Sequence, residues 1–237
     1  MTIHIDQLAF LRLTQLADSA LPIGSAAHSF GLETLVAEEV LTVEQLALFL
    51  QDYLEEAGLL EATYCRLGHR LTHAPDPQHF EQDWLTLNGK LSALKTARES
   101  RVASATLGRR FLQLLRNLDD HPTVQLALNT ARATSTEIHY CLAFGLAGGI
   151  LEIAETATVL AYIQQTVLTL VSACQRLLPL GQSQASSIVW QLKSVMLDIA
   201  ERSEVAAQQS TEHMVFTPLL DAASMRHPHL PTRLFIS

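Results

Sequence analysis

Apolar residues recur every three or four positions along most of this chain, which is the spacing of amphipathic helices. The segment 6–19, DQLAFLRLTQLADS, carries apolar residues at positions 8 to 11, 13 and 16. Thr42 and Gln45 have the spacing of a capping box, and Asp76 followed by Pro77 is a second signal for a helix start. Leu and Ala dominate, whereas strand-forming residues are scarce outside short runs. We therefore predict an all-α fold, with residues 1–237 forming a single helical-bundle domain of many helices.

Two apolar segments, 136–155 and 156–178, follow one another after the middle of the chain. Residues 156–175 carry no charge over about the length of a membrane span. Because several Gln and Thr side chains in this stretch would be poorly accommodated in lipid, we expect a buried helix, with a membrane helix as the alternative. Gly145 and Gly149 lie four residues apart on one helix face, which predicts the close approach of another helix or subunit.

The helical pattern ends near residue 210, and residues 210–237 are expected to form an extended tail for partner docking. This segment contains three Pro, three His and two Arg among apolar residues, and only LLDAASM has a convincing periodicity. Arg233 precedes Leu234, Phe235 and Ile236. Apolar side chains that anchor a segment, beside one guanidinium group, are typical of a docking segment. The alternative is that the tail folds back onto its own bundle.

The charge and cysteine content limit the partners and the compartment. A net charge of −8 argues against direct electrostatic attraction to nucleic acid. The three cysteines are isolated and odd in number, which favours a reducing compartment. The N-terminus lacks the basic region and cleavage site of a signal peptide. We expect a cytoplasmic protein that binds neither nucleic acid nor membrane.

Motifs for catalysis are not found in the sequence. GxxxxGK[ST], HExxH and GxSxG are all absent, so we predict a protein that is not an enzyme, without a cofactor, a catalytic residue or a dedicated metal site. The histidines of the tail, His213, His227 and His229, leave an alternative open, in which the chain carries nickel or zinc directly.

A basic segment, ARESRVASATLGRRF, is the other candidate for binding chemistry. It places Arg98 and Arg101 within one helical turn and Arg109 and Arg110 about two turns later. Guanidinium forks bind carboxylates and phosphates. The alternative is that these arginines pair with acidic residues of neighbouring helices and hold the bundle together.

Five segments together resemble UreF, the urease accessory protein F family: LADSALPIGSAAHSFGLE, ARESRVASATLGRRF, IHYCLAFGLAGG, RLLPLGQ and MRHPHLPTRLFIS. The resemblance implies a non-enzymatic chaperone of urease maturation that acts in nickel insertion and nickel binding. It implies a homodimer that bridges a UreD/UreH-type accessory protein and the GTPase UreG on apo-urease, regulates GTP hydrolysis and helps deliver nickel. It also implies that the UreD-type partner orders the C-terminal tail.

The same resemblance assigns partner-binding positions in three segments. In the loop after the first helix, Pro22 and Gly24 would fix a tight turn, and Ser25 and Ser29 would cap the following helix. The positions carried over as partner-binding are Pro22, Gly24, His28, Ser29, Gly31, Glu33, Glu99, Arg101, Arg110, Met225, Arg226, His227, Arg233, Leu234, Phe235 and Ser237.

Overall fold

The computed structural model describes residues 6–209 and 218–237, and all the regular structure in those ranges is helical. The prediction of an all-α fold is therefore confirmed. The α-helices are α1 (Gln7–Leu16), α2 (Leu32–Ala37), α3 (Leu46–Tyr53), α4 (Leu59–Arg70), α5 (Pro77–Leu94), α6 (Arg98–Leu118), α7 (Pro122–Thr134), α8 (Tyr140–Ile150), α9 (Glu155–Leu177), α10 (Gln182–Gln191), α11 (Lys193–Gln209) and α12 (Pro218–Arg226). A π-helical turn, Leu54–Gly58, joins α3 to α4.

The helix starts follow the capping signals in the sequence, with one difference. The Asp76 carboxylate accepts a hydrogen bond from the His79 amide at 2.9 Å, and Pro77 is the first residue of α5, as predicted. At the predicted capping box, Gln45 Oε1 accepts from the Thr42 amide at 3.1 Å. However, α3 begins only at Leu46, because residues 43–45 form turns before the regular helix.

The core is centred on α8, which is buried along most of its length and packs most closely against α4. A Cβ atom at Gly145 would lie 1.9 Å from the carbonyl oxygen of Cys65, and one at Gly68 would lie 2.4 Å from that of Leu142. Neither glycine therefore tolerates a side chain without separation of the two helices. The predicted close helix approach at Gly145 and Gly149 is confirmed.

Helix α9 is long and apolar enough to cross a membrane by length and composition alone. In the structure it packs against α4, α8, α10 and α11, and Val159, Ile163, Val167 and Val171 are among its buried side chains. A core helix meets the same length and composition test, so the interpretation of this segment as a buried helix fits the structure.

The C-terminal segment is partly helical and lies against the rest of the chain. The LLDAASM pattern corresponds to α12, which contacts α2 and α6 and is followed by a 3₁₀ turn, His227–His229, and an irregular extended end. Of the two options for the tail, the structure thus shows the one in which it folds back. The candidate ligand His213 lies outside the described residues.

Candidate partner-docking surface

The loop between α1 and α2 is rigid because its backbone is held by buried contacts. Ile23 is fully buried, and its carbonyl oxygen accepts a hydrogen bond from Arg110 Nη1 at 3.3 Å. Gly24, two residues after Pro22, has a φ of +89°, a conformation that a residue with a side chain rarely adopts. This geometry agrees with the tight turn predicted at the two positions.

The prediction that Ser25 and Ser29 cap the following helix is wrong. Phe30 and Gly31 both have positive φ angles, 53° and 89°, and Gly31 is the residue that precedes α2. This bend turns Ser29 away from the start of the helix, and its hydroxyl is buried without a hydrogen-bond partner among the described residues. Ser25 instead begins the 3₁₀ turn Ser25–Ala27.

Glu33, in the first turn of α2, binds the backbone of the tail. Its carboxylate is buried and accepts hydrogen bonds from the amides of Leu234 at 2.6 Å and Phe235 at 3.1 Å. It also lies 2.9 Å from Nε2 of His227. Burial raises the pKa of Glu33, but the hydrogen bonds from Leu234, His227 and Phe235 outweigh it, so the pKa lies below its ordinary value.

His227 is fully buried between two carboxylates. Its Nδ1 lies 2.9 Å from Glu99 on α6, and its Nε2 faces Glu33 at the same distance. Carboxylates only accept hydrogen bonds, so both contacts are satisfied together when both ring nitrogens carry protons. In that state the imidazolium connects the tail to α2 and α6 through two charge-assisted hydrogen bonds.

The last residues of the chain pair with the loop. The Ile236 amide donates to the Ala27 carbonyl at 2.8 Å, and the Ser29 amide donates to the Ser237 carbonyl at 2.5 Å. The Ser237 hydroxyl lies 2.7 Å from Nδ1 of His28. Burial and the nearby Arg110 charge lower the pKa of His28, which favours a neutral ring at this contact.

Helix α12 packs tightly at the start of α2. A Cβ atom at Gly31 would lie 3.0 Å from the Ser224 hydroxyl and 3.1 Å from the Leu220 carbonyl oxygen. Ser224 also lies 3.1 Å from the Ser100 hydroxyl on α6. At the exposed rim, Arg226 donates two hydrogen bonds to Glu38, at 2.8 and 2.7 Å.

The other side of the tail is exposed. Met225, Leu234 and Ile236 are 53%, 59% and 70% exposed, and Arg233 is exposed as well. Phe235 between them is buried, with the Arg176 guanidinium 4.1 Å from the centre of its ring. The tail therefore buries its backbone hydrogen bonds and Phe235 while presenting apolar side chains and Arg233 outward. We call this face, formed by residues 21–33 and 218–237, the loop–tail surface.

Most of the residues assigned from the sequence meet in this surface, although they lie at opposite ends of the chain. The polar contacts of Arg101 within the described residues lie outside the tail: its side chain lies 3.6 Å from Glu137 and donates to the Lys95 carbonyl at 3.3 Å. Arg176 is a contributor that the sequence reasoning missed, since it also donates to the Ala26 carbonyl at 2.7 Å. A single cation directly after the uncharged segment 156–175 was the available signal.

Candidate metal ligands among the described residues are engaged, buried or dispersed. The two ring nitrogens of His227 are both occupied by carboxylates, and the three cysteines are buried. Across residues 6–209 and 218–237 the structure contains no group of three or more His, Cys, Asp or Glu side chains placed to hold a metal ion.

Comparison with known proteins gives a consistent family. A family model described as UreF matches residues 40–193. A protein named urease accessory protein UreF from Nostoc sp. is 33% identical over 233 residues, covering 96% of both chains. Proteins of the same name from Methylorubrum populi and Picosynechococcus sp. are 33% and 32% identical, and the matches cover 96% of this chain and 98% and 99% of theirs.

Proposed function

The chain belongs to the UreF family of urease accessory proteins, and from that premise we propose that it is an adaptor in nickel delivery to urease. In this role it bridges a UreD/UreH-type protein and the GTPase UreG on apo-urease, in the cytoplasm and as a homodimer. It regulates GTP hydrolysis and helps nickel to reach the urease active site. Family membership is the support for the identity of the partners, the dimer and the GTPase step.

The loop–tail surface is the observation that supports an adaptor role. Three side chains on its outer side, Met225, Leu234 and Ile236, are apolar and more than half exposed, beside the exposed cation Arg233. Burial of exposed apolar side chains stabilises a complex, and Met and Arg are enriched at protein interfaces. Because the tail backbone is already bound by Glu33 and the loop, little conformational entropy is lost when a partner docks.

Direct metal carriage by the tail histidines is less well supported by this geometry. His227 is fully buried between Glu33 and Glu99, and His229 is the exposed histidine of the described tail. If the chain carried nickel directly, His213 and His229 would have to bind the ion without a preformed site. Stoichiometric nickel binding that is lost when both become Ala would favour the carrier.

A charge substitution in the outward-facing side chains tests the adaptor. Leu234→Asp with Ile236→Asp places charges in the proposed interface without replacing a buried side chain, because both side chains are more than half exposed. The matched control is Leu197→Asp with Val205→Asp, which changes two side chains of similar exposure on α11. Each variant is coexpressed with the cognate urease genes, and bound nickel, urease activity and capture of the UreD-type protein are measured.

We expect the tail variant to lose the UreD-type protein and to leave urease assembled but poor in nickel. The control variant should retain both properties, and helical content measured by circular dichroism should be unchanged in each. Normal nickel loading of urease with the tail variant would show that the loop–tail surface is not needed for nickel delivery. Normal nickel loading in a strain that lacks this chain would refute the adaptor role itself.

A further inference from the structure

A groove between α6 and α7 gathers cations that the rest of the fold does not use. Arg109 and Arg116 on α6 and Arg132 on α7 line it, together with Gln113 and Asn129. Its volume is about 590 Å³. We call this feature the arginine groove. It is a different surface from the loop–tail surface, and none of its lining residues belongs to residues 21–33 or 218–237.

The three guanidinium groups are unpaired within the part of the chain that the structure describes. Arg109, Arg116 and Arg132 are exposed, and none of their guanidinium groups makes an ion pair or a hydrogen bond to residues 6–209 or 218–237. Elsewhere arginines do find carboxylates: Arg66 and Arg70 share Glu155. The chain has 24 acidic and 16 basic residues, so three unpaired guanidinium groups along one groove make a positively charged surface on a protein of negative net charge.

The one carboxylate in the groove does not neutralise these arginines. Glu137 lies 3.6 Å from Arg101 and accepts a hydrogen bond from the Ser92 hydroxyl at 2.7 Å. Arg116 and Arg132 occupy the last turns of their helices, where the helix dipole favours a cation. That effect leaves the guanidinium donors free, and it does not apply to Arg109 in the middle of α6.

From this arrangement we propose that the arginine groove binds an acidic, extended segment of a partner protein. Guanidinium forks match carboxylates in geometry and charge. Arg109 and Arg116 are seven residues apart, which is about 10 Å along a helix axis. A single phosphate is too small to reach across that span. An extended peptide in the polyproline II conformation has three residues per turn and rises about 3.1 Å per residue, so acidic side chains at every third position lie on one face, about 9 Å apart, and meet successive arginines.

The first experiment uses a fluorescein-labelled peptide of about twelve residues with Glu at every third position, matching that three-residue repeat. The control peptide has Gln in place of each Glu. Binding to the full chain is followed by fluorescence anisotropy at low ionic strength. We expect binding of the Glu peptide only, weakening as salt is added, because exposed charges are screened. Equal binding of both peptides, or binding of neither, would overturn the proposal.

Matched variants separate the groove from the overall charge. Arg109→Gln, Arg116→Gln and Arg132→Gln together remove the groove cations, and we expect affinity for the Glu peptide to fall about tenfold or more. Arg12→Gln, Lys90→Gln and Arg98→Gln together remove three exposed cations outside the groove, and the expected loss is under about twofold. Similar losses in both variants would mean that attraction is nonspecific and would refute the site.

Inorganic pyrophosphate serves as a competitor in the same assay. Displacement of the Glu peptide only by a large excess of pyrophosphate fits a groove for spaced carboxylates. Displacement by pyrophosphate at a lower concentration than unlabelled peptide would assign the groove to phosphate and overturn the proposal. The single variant Arg109→Gln, measured in the same anisotropy assay, is a second test of the same site. Circular dichroism verifies that each variant retains its helices.

Discussion

Replacing Glu33 with Gln tests whether one carboxylate holds the tail on the bundle. Glu33 accepts hydrogen bonds from the Leu234 and Phe235 amides and from His227, while its side chain is buried. A hydrogen bond to a charged group contributes roughly 1.5–3 kcal/mol. The Gln carbonyl oxygen can accept part of this set, but its NH₂ group faces donors. We therefore expect tail docking to weaken by about 2–4 kcal/mol.

Hydrogen exchange at the Leu234 and Phe235 amides measures this loss directly. Since about 1.4 kcal/mol corresponds to a tenfold change in a population, exchange at both amides should accelerate by roughly 30- to 1000-fold. Amides of α4 and α8 should be unaffected, because they belong to the core. The matched control is Glu38→Gln, which also contacts the tail but through an exposed pair with Arg226.

The control should accelerate exchange at the two amides by less than about fivefold, because exposed ion pairs contribute little. Equal exchange rates in the Glu33 and Glu38 variants would refute the reasoning. So would a Glu33 variant whose tail amides remain as protected as those of the wild type. In either case the tail would be held by Phe235 and α12 packing, and the buried carboxylate would have no special role.

Two further predictions concern backbone space and pH. Gly31→Ala should destabilise the docked α12 by about 1–2 kcal/mol, because φ at Gly31 is +89° and the new Cβ would lie 3.0 Å from Ser224 Oγ. The measurement is chemical denaturation, in which the control Gly89→Ala on α5, where a Cβ has open space, should be neutral or stabilising. Burial and the charges of Lys95 and Arg101 lower the pKa of His139 to about 3. As the pH falls below about 6.5, the histidine is therefore protonated in the unfolded chain before it is protonated in the folded one. The free energy of unfolding should lose nothing to His139 above that pH and about 2 kcal/mol at pH 5, and a His139→Gln variant with the same slope of stability between pH 5 and 6.5 would contradict this.

Local patterns were enough to predict that the chain is helical and where some helices begin, because apolar spacing and capping are properties of neighbouring residues. The start of α5 at Asp76 and Pro77 and the glycine contacts of α8 could be predicted in this way. The later start of α3, at Leu46 instead of next to Thr42, could not, because tertiary packing decides where a marginal first turn becomes helical.

The candidate site was predictable as a set of residues but not as an arrangement. The sequence gives no distance between Glu33 and His227, which are separated by 194 positions in the chain and lie 2.9 Å apart in the fold. The serine caps were wrong because the left-handed pair Phe30 and Gly31 redirects the backbone, and positive φ at Phe30 has no signature in a single sequence. Arg176 was missed for the same reason, since its partner Phe235 is distant along the chain.

The absence of Asp, Glu, Lys and Arg from segment 21–30, between α1 and α2, is explained by the tail that lies on it. Ala27 and Ser29 exchange backbone hydrogen bonds with the last two residues, so larger side chains would hold the tail backbone away from the loop. A partner that recognises the docked tail should bind less tightly to the Glu33→Gln variant. Its affinity should fall by the same factor as the fraction of molecules whose tail is docked. A partner that instead captures a released tail should bind that variant more tightly. The direction of the change in affinity therefore decides whether the loop–tail surface is recognised as one preformed unit or is opened by its partner.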